Sequence, residues 1–191
     1  YKVPSFFAGG IPRFILNLYS NNLNNFKNHE ITLISINTEN KKNTIHKKYN
    51  RNFNEVIFSP FLKFKTISFS IKFFAFIVRN AKKYNFIHYQ HPDPFSAVAI
   101  IIAKLFSKKT KIITTWHADI YKTYLLFAPF LIIIDFILFT LSEKIIYLTP
   151  LHLKSSLLGK LPNLLNKKDF IPNGIVLPNK KNPISLKPLK E

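Results

Sequence analysis

The chain has 191 residues, 47% of them hydrophobic and 20 of them Phe, enough for one well-buried domain and short for two. Its formal net charge is +19, from 28 Lys and Arg against 9 Asp and Glu. That reads either as a field for nucleic acid, acidic lipid headgroups or a phosphorylated small molecule, or as part of a bias toward Lys, Asn, Ile and Phe spread over the whole sequence. No Cys is present, which excludes disulfides and thiolate metal sites, and no Met, so the sequence reads as a processed chain or a fragment of an intracellular protein.

In chain order, Tyr1 to Ala8 carries no signal peptide, and Tyr1-Lys2-Val3 reads as the remnant of a first strand. Gly9-Gly10 then opens a helix over Ile11 to Phe26, with Pro12 in the first turn, where its missing N–H costs nothing. Short β-branched runs follow at Ile31 to Ile36, Glu55 to Phe58, Phe86 to Gln90, Lys111 to Thr115, Lys144 to Thr149 and Lys168 to Ile171. Their length and lack of strict alternation suit strands buried on both faces. Helical stretches lie between them, over Thr66 to Lys83, Phe95 to Phe106, Tyr121 to Ser142 and Leu151 to Leu158. This alternation predicts an α/β fold built on a doubly wound parallel sheet.

Asn37 to Asn54 is polar, basic and Asn-rich, and reads as a surface loop; no aromatic interleaving supports nucleic-acid binding there. The run Leu125 to Leu141 sits at the lower length limit for a membrane span, yet Asp135 in its middle favours a helix facing the core. An in-plane membrane contact stays open, because Lys122 and Lys144 flank the run. After Asn173-Gly174 the chain turns to Pro, Asn and Lys, in the manner of a linker.

The polar residues gather at the carboxyl ends of the expected strands, where an open α/β sheet binds ligands. Gly9-Gly10, His91 to Pro94, Trp116 to Asp119, Thr149-Pro150 and Asn173-Gly174 all fall there. Paired glycines at a helix start bring backbone N–H groups close to an anion. His117, at a strand end beside Asp119, reads as a ligand residue, whereas His88 lies within a strand and reads as structural. No GxGxxG, GxxxxGK[ST] or GxSxG occurs, and His117 and Asp119 lack a nearby third ligand for a metal.

The strings GGIPRFILNLYSNNLNNFKNHEITLIS, FIHYQHPDPFSAVAIIIAKL, KIITTWHADIYK, KIIYLTPLHLKSS and FIPNGI resemble, in order, stretches of the family 4 glycosyltransferases of the GT-B fold. The resemblance runs from Tyr1 to about Ile175. It implies the Rossmann-like N-terminal, acceptor-side domain of a retaining, metal-independent transferase, with no cofactor beyond a nucleotide-sugar donor. Residues 1–175 would form that domain without its first strand, and residues 176–191 a linker toward a nucleotide-sugar domain.

The resemblance further implies that Gly9 and Gly10 lie near the donor diphosphate and that His117 contacts the transferred sugar. Asp119, Thr149, Asn173 and Gly174 complete the donor side; Arg13, His91 and Asp93 meet the acceptor. The expected reaction moves a hexose to a glycan or lipid-linked acceptor, as in cell-envelope polysaccharide synthesis. The expected location is the cytoplasm or the inner face of the cytoplasmic membrane. Pro12 stands where the family often has Glu, and the second domain that carries most of the family's nucleotide contacts is not part of this sequence, so the chain alone is expected to be inactive. The rival reading is a non-catalytic, basic, peripheral membrane-binding module.

Overall fold

The computed structural model describes residues 10–19, 28–37, 43–48, 51–64 and 67–172. Four strands, β6 (Phe86–His91), β7 (Lys111–Trp116), β8 (Lys144–Tyr147) and β9 (Lys168–Phe170), form a fully parallel sheet in the order β6-β7-β8-β9. Their register sets His91, Trp116, Tyr147 and Phe170 in one row, so all four strands end together. A second sheet has the order β1-β3-β2. In it β1 (Ile31–Ile36) lies parallel to β3 (Phe53–Phe58), and β2 (Ile45–Lys48) is antiparallel to β3. Among the described residues, one edge of β1 and one edge of β6 have no strand beside them.

The expected α/β class holds, with helices on both faces of the parallel sheet. The helix α1 (Gly10–Tyr19) covers one face, since Tyr19 and Phe14 reach His88 and His117. On the other face pack α2 (Ile71–Asn80), α3 (Pro94–Phe106) and α4 (Ala128–Leu141). A shared core joins Ile36, Val56 and Phe58 of the first sheet to Ile77, Ile100, Ile112 and Leu138. The short helix α5 (Pro150–Ser155) follows β8. Three of these helices start on side-chain caps, Ser70 for α2, Asp93 for α3 and Thr149 for α5, each accepting a backbone N–H of the first turn.

Two stretches differ from expectation. The supposed loop Asn37 to Asn54 contains β2, whose IHKK alternates between half-buried and exposed residues as an edge strand does. The helix expected from Thr66 starts at Ile71, because Leu62–Phe64 (β4) and Ile67–Phe69 (β5) first pair as an antiparallel hairpin. The helix expected from Tyr121 likewise begins at Ala128, after turns and a short 3-10 segment, Leu125–Phe127.

Asp135 is turned into the core, where its Oδ2 accepts from His91 Nε2 at 2.9 Å and from the Tyr121 hydroxyl at 2.8 Å. One carboxylate thus joins the end of β6, the middle of α4 and the segment after β7. Asp135→Ala leaves both donors buried without an acceptor, which should cost about 3 kcal/mol. Chemical denaturation of the two proteins checks this, and an unchanged midpoint contradicts it.

Candidate active site

Side chains alternate along a strand, so His88 and Gln90 share one face of β6 while Tyr89 and His91 take the other. On β7, Thr115 and His117 fall on the first of these faces and Thr114 and Trp116 on the second. The α1 face therefore carries a polar floor. His88 sits between two hydroxyls, with Tyr19 on its Nδ1 and Thr115 Oγ1 on its Nε2 at 2.7 Å. Two residues further along each segment, His117 Nε2 lies 2.9 Å from Gln90 Oε1. An amide oxygen only accepts, so Nε2 carries the imidazole proton. Nδ1 is then the basic nitrogen, and it makes no hydrogen bond among the described residues.

Burial pushes His117 down to about 4, and the charges of His91, His88 and His152 add to that effect. The ring is consequently neutral near pH 7. Phe14 meets it edge-on, with centroids 5.1 Å apart. Phe14 lies one turn into α1, so this helix covers the imidazole. An acceptor nitrogen without a partner among the described residues suits a ligand that offers a hydroxyl.

Each expected site residue has a definite fate. Gly10 opens α1, the helix whose Phe14 packs against His117. Gly9, Asn173 and Gly174 lie outside the described residues, as does the side chain of Arg13. Asp119 accepts from Trp116 Nε1 at 2.9 Å and closes the loop after β7 on itself. Thr149 caps α5, its Oγ1 accepting from His152 N at 3.1 Å. Asp93 caps α3, accepting from both Ser96 N and the Ser96 hydroxyl.

His91 corrects an expectation. It lies on the opposite strand face from His117, is only 1% exposed and donates to Asp135, so it supports the edge from behind and does not open onto the cleft. Trp116, wholly buried, packs against Phe139 and His152 with centroids 5.0 and 4.7 Å away. Among the described residues no group of three His, Asp or Glu side chains is arranged to hold a metal ion. Gln90 is the functional residue that sequence reasoning missed. Its only signal was its position two residues after His88 in a strand.

A parallel sheet whose strands end in one row, with polar groups gathered there beneath α1, defines a Rossmann-like domain. The family described as Glycosyltransferase Family 4 matches residues 8–177, and the chain belongs to that family. Membership implies a sugar donor and an acceptor as partners in general. No curated protein and no solved structure matches the chain.

The buried histidines make stability depend on pH. His88, also held at about 4 by burial, and His117 are neutral in the folded chain and titrate near 6.5 when unfolded. Between those values the unfolded state binds more protons, so their contribution is complete above pH 6.5 and is lost as pH falls toward 4. By pH 4 each costs the fold on the order of 3 kcal/mol. The melting temperature should fall between pH 7 and pH 4.5, less steeply in His117→Gln. Equal slopes for the two proteins contradict the assignment.

Proposed function

We propose that this chain forms the acceptor-side half of a retaining, metal-independent glycosyltransferase that moves a hexose from a nucleotide-sugar to a glycan or lipid-linked acceptor. The observation that carries the reading is His117, neutral and packed against Phe14 of α1, with Nε2 engaged by Gln90 and Nδ1 without a hydrogen bond among the described residues. In this reading Nδ1 accepts a hydrogen bond from a hydroxyl of the transferred sugar. A neutral imidazole suits that task and holds the sugar without delivering a proton to it.

Departure of the nucleoside diphosphate leaves negative charge on phosphate and an oxocarbenium-like sugar. In this reading the first turn of α1, opened by Gly10, supplies N–H donors to the former charge, as preorganised donors do at other developing anions. His117 keeps the sugar aligned for attack from the face the leaving group vacates. The loop carrying Asp93 and the exposed Phe95 borders the acceptor, with His91 and Asp135 bracing it from the core. Residues 1–175 act as one domain, and the remaining nucleotide contacts come from a second domain that follows residues 176–191. A membrane surface as a further partner rests on a different observation, the outer face of α4.

In the enzyme with both domains, His117→Ala should lower kcat by about a hundredfold or more. Near-normal turnover in a transfer assay would sink the role of this residue. The 191-residue chain by itself should neither transfer sugar nor hydrolyse a nucleotide-sugar. Turnover detected with the purified chain overturns the reading of half an active site.

A further inference from the structure

The helix α4 is apolar on both sides. Leu131, Ile134, Leu138 and Phe139 fill the core, and Asp135 on the same side is occupied by His91 and Tyr121. A helix with apolar residues all round is ordinarily buried all round. This one is not. Leu126 just before it, then Phe130, Ile133 and Ile137, recur at helical spacing along its outer side and are 86%, 61%, 57% and 39% exposed. Leu105 and Phe106, at the end of the neighbouring α3, are exposed as well. Exposed apolar side chains in a continuous row mark a surface that something else covers.

Charge identifies the occupant. No acidic residue lies on the outer side of α4, and lysines stand at both of its ends. Lys122 is exposed one turn before the stripe, and the Lys167 ammonium donates to the Thr140 carbonyl at the helix carboxyl end. Lys108 and Lys109 are exposed at the adjoining end of α3. A second copy of the chain would bring the same cations, and a net charge of +19, against these. An anionic bilayer offers the opposite charge around an apolar interior. At 14 residues α4 is about 21 Å long, short of the roughly 30 Å hydrocarbon core, and among the described residues no helix is long and apolar enough to cross a membrane.

We propose that the outer face of α4 lies in the plane of an anionic lipid bilayer, with Leu126, Phe130, Ile133 and Ile137 in the acyl boundary and the flanking lysines at the headgroups. This docking is independent of the transfer chemistry. The absence of cysteine allows a direct test, because Ile133→Cys and Arg51→Cys each carry a single environment-sensitive fluorophore. With vesicles of phosphatidylcholine and phosphatidylglycerol, the probe at position 133 should shift to the blue and the probe at position 51, before β3, should not. Pure phosphatidylcholine should bind more weakly, and salt should weaken binding to the anionic vesicles. The double variant Phe130→Glu, Ile133→Glu should lower vesicle partitioning by about tenfold while its circular dichroism stays that of the parent. The proposal is overturned if anionic vesicles do not bind, if binding leaves the probe at position 133 in water, or if partitioning of the double variant is unchanged. Vesicle-free self-association that buries the same probe also overturns it, and assigns the face to a second copy.

Discussion

The carboxylate of Asp135 is the constraint on which the carboxyl edge of the parallel sheet depends. It is buried in α4, and the two groups that stabilise it come from elsewhere, His91 at the end of β6 and Tyr121 in the segment after β7. A carboxylate in a core is tolerated only where hydrogen bonds compensate its lost hydration. The same need pushes the Tyr121 hydroxyl up, through its own burial first and the charge of Asp135 second, so that it stays a donor. With those bonds in place, the end of β6 and the segment carrying Tyr121 are both tied to α4. Trp116, wedged against Phe139 and His152, fills the volume between them.

That inward-facing network frees the opposite side of the strands for chemistry. Period-two alternation sends His91 and Trp116 toward the helices that fill the core and leaves His88, Gln90, Thr115 and His117 beneath α1. The two faces carry the same residue types with opposite outcomes. His91 is saturated on one nitrogen by a carboxylate and sealed in, while His117 is held by a neutral amide and keeps one nitrogen open. Burial keeps the His117 ring uncharged, and the amide oxygen of Gln90 decides which nitrogen bears the proton. A neutral acceptor beneath α1 is a different instrument from the cationic imidazole that an exposed histidine becomes in mild acid.

Much of this was legible in the sequence. The buried parallel strands announced themselves as short β-branched runs, and their polar ends fall on the one edge where the structure ends all four strands. The edge strand β2 escaped notice because IHKK at a sheet border has too little apolar content to stand out from its Asn-rich surroundings. The hairpin of β4 and β5 escaped because FLKFKTISF carries aromatic residues compatible with either period. His91 was read by its neighbours in sequence, the prolines and Asp93, when the parity of its position on β6 governs where it faces. Gln90 matches no motif, and only its pairing across β6 and β7 reveals it. The mid-helix Asp135 did point to the core from sequence, but its partners, 44 and 14 residues away, required the fold.

The central claim is that His117 stands neutral at the end of β7, protonated on Nε2 and open on Nδ1. Long-range ¹H–¹⁵N correlation of the histidine rings measures this directly, with the His117 signals assigned by comparison with His117→Gln. At pH 7 the account predicts a protonated Nε2 and an unprotonated Nδ1, with titration displaced to about 4. The opposite tautomer, or titration near the ordinary 6.5 of an exposed imidazole, would contradict it.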